Sequence, residues 1–371
     1  MNHNTTTLAP KRLLSLDFMR GLIMVLLALE STELYAYLMH LCNKGSFAAT
    51  IMSQFFHNDW RGLHFWDLIQ PAFMFMAGIA MTYSLTRQQE QGMSWNDRFL
   101  KILKRSALLL LWGILKRIHS PDWLALNALD LTDILTQLAF TTIIAFLLFD
   151  FKIKYQVLAA IGILILTEFL YRFWYIPGFV EGYTDGKNIG SYIDYLLFQQ
   201  KGNHYVFINW LPTAVHTLAG VIIGKLFMQS RNPLSWLLAA GLVLVLTGYA
   251  LDYFELTLMI KPIATSSFIL ASLGFCCWMV ALCYYWIDLR KHQKGLLFFQ
   301  VFGMNSIFIY LFFEIVGRNW FNGYMVMLLS PMEALTGLSH QWFLVIAALA
   351  TFAVEWGICY FLYKKKIFFK L

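Results

Sequence analysis

The sequence has few charged residues, which occupy only 13% of its 371 positions. A soluble domain of this length carries about 25% charged residues. Hydrophobic residues make up 59% of the chain and aromatic residues 17%. This composition excludes an ordinary soluble domain and predicts a polytopic membrane protein, in which the aromatic residues anchor two interfaces.

Several other signals are missing from the sequence. The five cysteines include no C-x-x-C spacing, so we interpret them as small core residues and expect no metal site from them. Basic stretches interleaved with aromatic residues do not occur outside the apolar segments, which argues against nucleic-acid binding despite the net charge of +7. The opening "MNHNTTTLAPKR" leads into an apolar segment without a small-residue cleavage site, so no cleavable signal is expected.

Apolar segments suited to crossing a bilayer recur along the chain. A span needs about 20 mostly apolar residues, and the sequence predicts an all-α bundle of about ten spans in a single domain, residues 1–371. A short segment, 1–12, precedes the first span, and longer loops are predicted at 39–63 and 175–204. The predicted spans are 17–38, 64–85, 101–118, 131–149, 154–174, 205–228, 233–251, 262–286, 296–317 and 342–363.

The distribution of basic residues predicts the orientation of the bundle. Most of the 28 lysines and arginines lie before the first span, in alternate loops and after the last span. Because cytoplasmic loops carry the excess of Lys and Arg, both ends of the chain are predicted to be cytoplasmic. The two longer loops then face outward, and a loop as long as 175–204 usually covers or lines something.

The stretch "FFHNDWRGLHFWDLIQP", residues 55–71, places a histidine and a carboxylate at the mouth of one span. An imidazole titrates near neutral pH, and a neighbouring carboxylate can orient it and make it more basic. We therefore interpret His57 as a base or nucleophile and Asp67 as its partner. A solvated interfacial histidine is the plainer alternative. A zinc site with His64 and Asp59 is another, although the spacing matches no known ligand pattern.

Polar residues inside predicted spans are costly and need a partner or a function. "SLDFMRG" places Asp17 and Arg20 on one helix face, either as an ion pair or as a feature that binds an anion. His216 in "LPTAVHTLAG" and Asn305 in "FGMNSIFIY" are either packing residues or ligand contacts. Glu30, near the outer end of the first span, is either solvated or directed into a cavity.

Four segments occur in a characteristic order: "RLLSLDFMRG" at 12–21, "HNDWRGLHFWDLIQP" at 57–71, "GMNSIFIY" at 303–310 and "YKKKIFFKL" at 363–371. Together they resemble the heparan-α-glucosaminide N-acetyltransferase family and its bacterial relatives. Members of that family move an acetyl group from cytoplasmic acetyl-coenzyme A to an amino sugar across the membrane. The resemblance implies a multi-pass acetyltransferase of a bacterial inner (plasma) membrane, with acetyl-coenzyme A as co-substrate and no metal.

The resemblance also implies roles for individual residues. His57 would be the catalytic residue, as a base or as a transient acetyl carrier, and Asp67 would support it. Trp60 and Glu30 are predicted to contact the amino-sugar or glycan acceptor. Acetyl-coenzyme A is predicted to meet basic residues that bind its negative charges and polar residues that line a channel. These predicted contacts are Lys11, Arg12, Asp17, Arg20, Lys104, Arg105, His216 and Asn305.

Two departures from the family keep alternatives open. No counterpart of the animal enzyme's large soluble domain is expected before the first span, and Glu30 and Ser31 stand where that enzyme carries an asparagine. A sugar O-acetyltransferase, a secondary transporter or flippase, and a non-catalytic scaffold therefore remain alternatives. A transporter would place its ionisable residues near the bilayer midplane at broken helices. Membrane lipid and a second copy of the chain are the other partners considered.

Overall fold

The computed structural model describes residues 13–118, 125, 129, 131–230 and 232–369. Lys11, Arg12 and the rest of segment 1–12 lie outside the described residues. Helices dominate the described ranges, and their one sheet is a hairpin of β1 (Tyr175–Ile176) and β2 (Val180–Glu181). The helices are α1 (Leu14–Ser31), α2 (Leu34–Leu41), α3 (Phe47–Ser53), α4 (Ile69–Glu90), α5 (Trp95–Leu115), α6 (Ile134–Leu147), α7 (Ile153–Phe173), α8 (Ile189–Phe198), α9 (Trp210–Gln229), α10 (Pro233–Tyr253), α11 (Ser266–Cys283), α12 (Leu296–Met304), α13 (Ser306–Phe312), α14 (Asn322–Thr336) and α15 (His340–Lys364).

The predicted all-α polytopic bundle is confirmed. Six of the described helices are long and apolar enough to cross a membrane, or up to eight if each of two bent pairs counts as one span. The bent pairs are α1 with α2, at 64°, and α12 with the segment from α13 to α14, at 74°. The predicted spans 101–118 and 131–149 fall outside this count, because α5 carries charged residues along its first half and α6 has only 14 residues.

Helices α4 and α9 cross at the centre of the bundle, and α1, α6 and α11 pack around them. Their closest approach lies at Gly78 of α4 and Gly220 of α9. A Cβ atom added to Gly78 would lie 2.0 Å from the carbonyl oxygen of Thr217, and one added to Gly220 would lie 2.0 Å from that of Phe75. Small residues allow such contact between membrane helices. The crossing therefore fixes the position of α4, the helix that begins just after Asp67.

The long loop of residues 175–206, here termed the cap, folds over one end of the bundle. It holds the β-hairpin and α8. The buried carboxylate of Asp194 closes it by accepting the backbone N–H of Phe207 at 3.1 Å. Val180 and Val206 of the cap pack with Ile260 and Ile263, which belong to the connection between α10 and α11. The cap therefore holds that connection against the end of the bundle.

Candidate functional site

The loop before α4 is built around the carboxylate of Asp67. Asp67 lies in a turn of 3₁₀ helix, Phe65–Leu68, and is completely buried. Its Oδ2 accepts the backbone N–H of His64 at 2.9 Å and that of Asn58 at 3.2 Å. Gly62 adopts a φ of 134°, which an L-residue rarely adopts, and its N–H bonds to the carbonyl oxygen of Met259 at 2.8 Å. The loop is thus pinned both to α4 and to the connection between α10 and α11.

His57 is held by the other oxygen of the same carboxylate. Its Nδ1 lies 2.8 Å from Oδ1 of Asp67, so the structure brings the two predicted residues together. The side chain of His57 is 46% exposed, whereas that of Asp67 is 0% exposed. Nε2 makes no hydrogen bond to the described residues, which leaves it available to a small molecule. A buried carboxylate that orients a half-exposed imidazole is an arrangement suited to general-base or nucleophilic chemistry.

The structure adds Lys261 to this pair, a residue absent from the predicted site. Its Nζ lies 2.9 Å from Nδ1 of His57 and 3.3 Å from Oδ1 of Asp67. Burial lowers the pKa of Lys261 to about 8, against the opposing effect of the Asp67 and Glu30 carboxylates. The only sequence signal was a lysine within the apolar run "LTLMIKPIA", and nothing local pointed from it to His57.

The predicted acceptor contacts, Glu30 and Trp60, flank the same loop. Glu30 pairs with Arg318 at 3.1 Å and lies close enough to His57 to interact with it electrostatically. Trp60 donates its indole N–H to the carbonyl oxygen of Tyr183 in the cap at 3.1 Å, and its ring packs against His204 at 5.2 Å. Because that N–H is engaged, Trp60 can offer an acceptor only its ring surface.

A cavity of about 450 Å³ lies within the bundle and follows α4 from Phe73 to Leu85. Two predicted cofactor contacts, Arg20 of α1 and Arg105 of α5, line it. The other lining residues are mostly apolar, with the hydroxyl groups of Ser84, Ser306 and Tyr310 among them, and come from α1, α4, α5 and α6 and from the region around Asn305. The cavity therefore combines two guanidinium groups with a long apolar wall, a combination that suits an anionic ligand with an extended chain.

Two other predicted cofactor contacts on these helices do not line the cavity. Lys104 is exposed, because adjacent residues of a helix point to different faces and Arg105 takes the inner one. Asp17, one turn before Arg20 on α1, is also absent from the wall. Lys104 and Asp17 therefore lie outside this cavity, and their contact with acetyl-coenzyme A stays a prediction.

Asn305 and His216, which are predicted to line a channel, do not line this cavity either. Asn305 donates from Nδ2 to the carbonyl oxygen of Ile367 at 3.1 Å, and its Oδ1 accepts the N–H of Phe369 at 3.0 Å. Phe369 itself lines the cavity, so Asn305 holds part of the wall without forming it. His216 is fully buried and its Nε2 lies 2.8 Å from the hydroxyl of Ser272, away from the cavity.

The fold and the site define a multi-pass membrane protein. His57, Asp67 and Lys261 form an ionic cluster, here termed the histidine cluster, at one end of the helical bundle, and a cavity lined by two arginines lies inside the bundle. The chain belongs to the family DUF5009, described as a domain of unknown function, whose model matches residues 12–218. A comparison with curated proteins finds no match. The matched region contains His57, Asp67 and both cavity arginines, whereas Lys261 lies beyond it.

Proposed function

We propose that this protein is a membrane-embedded acetyltransferase that uses acetyl-coenzyme A and acts on an amino sugar or a related glycan. The observation that carries the proposal is the contact of 2.8 Å between Nδ1 of His57 and the buried carboxylate of Asp67. It leaves Nε2 of a half-exposed imidazole as the reacting atom. The four sequence segments that resemble the heparan-α-glucosaminide N-acetyltransferase family support the same activity.

His57 would remove a proton from the acceptor as the acetyl group is transferred. A protonated amine is not nucleophilic, and a base that titrates near neutral pH relieves this. The thioester C–S bond breaks and a bond forms between the acceptor atom and the acetyl carbon. The proton taken from the acceptor ends on the sulfur of coenzyme A. In the variant with an acetyl-enzyme, Nε2 carries the acetyl group between the two halves of the reaction.

In this proposal acetyl-coenzyme A, the acetyl donor, binds in the cavity and reaches His57 through it. Arg20 and Arg105 would bind phosphate groups, and the apolar wall would accompany the thioester arm toward His57. Phe73 on the wall is six residues from Asp67, about 9 Å along a helix axis. An extended arm can cover that distance, whereas the nucleotide end stays near the arginines.

The first test compares wild type with His57→Ala in nanodiscs, with labelled acetyl-coenzyme A and glucosamine or short amino-sugar glycans. We expect wild type to release coenzyme A and form labelled product, and His57→Ala to lose at least about 100-fold in rate, as loss of a catalytic base does. His340→Ala is the matched control, since His340 forms a 2.9 Å contact with Glu333 at the α14–α15 connection.

The outcomes separate the proposed reaction from its alternatives. Equal rates in wild type and His57→Ala would remove His57 from the mechanism. Uptake of the sugar by proteoliposomes, which unlike nanodiscs enclose a lumen, without coenzyme A release would favour a transporter. Hydroxylamine treatment of the product then distinguishes the acceptor atom, because it cleaves esters at mild alkaline pH and leaves amides.

A second test addresses the donor cavity through two adjacent basic residues. Arg105→Gln is expected to weaken binding of coenzyme A about tenfold or more, since a charge-assisted hydrogen bond contributes about 1.5–3 kcal/mol. Lys104→Gln removes the same charge from an exposed neighbour and should change binding little. Isothermal titration with coenzyme A measures both variants, and equal losses would indicate a general surface attraction.

A further inference from the structure

Three ionisable groups meet at a single nitrogen atom of His57. Nδ1 lies 2.8 Å from Oδ1 of Asp67 and 2.9 Å from Nζ of Lys261. Asp67 is completely buried, and the Lys261 side chain is only 6% exposed. Both groups are shielded from water, so each depends for its contacts on the other and on Nδ1 of His57.

The valence of Nδ1 does not permit both contacts to be conventional hydrogen bonds at once. A neutral imidazole has one protonated nitrogen and one bare nitrogen. If Nδ1 carries the hydrogen, it donates to Asp67 and cannot accept from Lys261. If Nδ1 is bare, it accepts from the ammonium of Lys261, which has three hydrogens and no lone pair, and the ring hydrogen is then on Nε2.

We propose that Lys261 is a positioning residue that decides which ring nitrogen of His57 carries the proton. As an ammonium it bridges Asp67 and Nδ1, and it holds the hydrogen of His57 on Nε2. As a neutral amine it leaves Nδ1–H donated to Asp67 and the lone pair of Nε2 exposed. Only the second state can act on an acceptor at Nε2, so Lys261 switches the imidazole between resting and reactive forms.

The change between the two states of His57 needs no reactant other than water. Lys261 gives one of its three hydrogens to Nδ1, and Nε2 releases its own hydrogen to water. One proton leaves the cluster, whose charge falls by one. The low pKa of Lys261, about 8, brings this change close to neutral pH.

The charged and titratable groups around the cluster come from several elements. Asp67 faces Lys261 from the turn before α4, and Glu30 acts on both Lys261 and His57 from the end of α1. Arg318 pairs with Glu30 at 3.1 Å. The ring of Tyr205, in the cap, lies 5.9 Å from Nζ of Lys261, and burial and Asp67 raise the pKa of its hydroxyl.

The position of the ring hydrogen can be measured without any acetyl transfer. The full chain, labelled with ¹⁵N-histidine and placed in nanodiscs, is examined by NMR over a series of pH values. Protonated and bare ring nitrogens have well-separated ¹⁵N shifts, and a His57→Gln spectrum identifies the signals of His57. Wild type, Lys261→Met and Lys261→Arg are compared.

In wild type we expect the hydrogen to move from Nε2 to Nδ1 as the pH rises. In Lys261→Met it should reside on Nδ1 throughout, and in Lys261→Arg, whose guanidinium does not deprotonate, it should stay on Nε2. A wild-type hydrogen on Nδ1 at every pH would overturn the proposal. If Lys261→Met does not fold, wild type and Lys261→Arg decide the question.

The effect on turnover rests on the proposed acetyltransferase function, and the NMR result does not. If wild type transfers acetyl groups, the rise of rate with pH that coincides with the tautomer change should be missing from Lys261→Met. A tautomer change without any acetyl transfer would retain the switch and reject the proposed reaction. Transfer whose pH profile is the same in wild type and Lys261→Met would reject the switch.

Discussion

At the scale of single residues, the candidate site depends on one buried carboxylate with four neighbours. Asp67 accepts two backbone N–H groups and contacts the side chains of His57 and Lys261. A buried charge without partners is strongly destabilising, and removal of one member of a buried pair leaves the other uncompensated. The same contacts that orient His57 therefore also keep the loop before α4 folded.

The buried amine of Lys261 should make the stability of the protein depend on pH. Its pKa of about 8 in the folded protein lies below the value of about 10.4 for a lysine in an unfolded chain. Between these values the unfolded chain binds the proton that the folded protein has lost, so stability rises with pH. The free energy of unfolding should increase by up to about 3 kcal/mol across this window.

This dependence can be measured as the midpoint of thermal unfolding of wild type and Lys261→Met in detergent over a pH series. The two curves should diverge between about pH 8 and 10, with only wild type gaining this increment. Parallel curves would show that Lys261 has no lowered pKa in the folded protein.

The sequence predicts those site residues that lie close together along the chain and misses those that lie far apart. His57 and Asp67 could be paired because they lie ten residues apart in one segment. Lys261 lies 204 residues from His57, and its position depends on the connection between α10 and α11 and on the cap above it. Asn305 was recognised as a polar residue in an apolar segment, but its partner is a backbone stretch near residue 369 that no local pattern indicates.

At the scale of elements, α4 links the histidine cluster to the cavity. Its first turn follows Asp67, and its middle, from Phe73 to Leu85, forms one cavity wall. The position of α4 is set by its contact with α9 at Gly78 and Gly220. A substitution at that crossing should therefore disturb both the histidine cluster and the cavity, although the substituted residue contacts neither of them directly.

The substitution Gly78→Ala tests this crossing. The added Cβ would meet the carbonyl oxygen of Thr217 at 2.0 Å, so the two helices must separate, at a cost of about 1–3 kcal/mol or more. Gly162→Ala, at an exposed position of α7 with nothing within 4 Å of the new Cβ, should be neutral or stabilise by up to about 1 kcal/mol. The measurement is the midpoint of thermal unfolding in detergent, and equal midpoints would show that α4 and α9 are not in close contact.

At the scale of the whole molecule, hydropathy predicts the class of fold better than it predicts where individual helices bend or end. Long apolar helices follow from composition because the bilayer leaves backbone groups no partner outside regular structure. The first bend lies at the polar stretch that follows Ser31 and the second at Asn305, and apolar residues resume after each of them. Hydropathy therefore predicts one span over 17–38 and one over 296–317, and in both regions the structure has a bent pair.

The arrangement of the molecule predicts that the two ends of α4 lie on opposite sides of the membrane. Lys44, between α2 and α3, and Gln91, after α4, are both exposed. In a Cys42→Ser background the four remaining cysteines are buried. Lys44→Cys should react with an impermeant maleimide in intact cells, and Gln91→Cys only after permeabilisation, because Lys and Arg predominate on the Gln91 side.

Each outcome of this labelling bears on the proposed reaction. The expected pattern places His57 outside and leaves the arginine-lined cavity accessible to a donor from the cytoplasm. The reverse pattern would turn the His57 cluster toward the cytoplasm and remove the need for a donor route through the bundle. Labelling of both variants in intact cells would mean that α4 does not cross the membrane, which would contradict the fold as a spanning bundle.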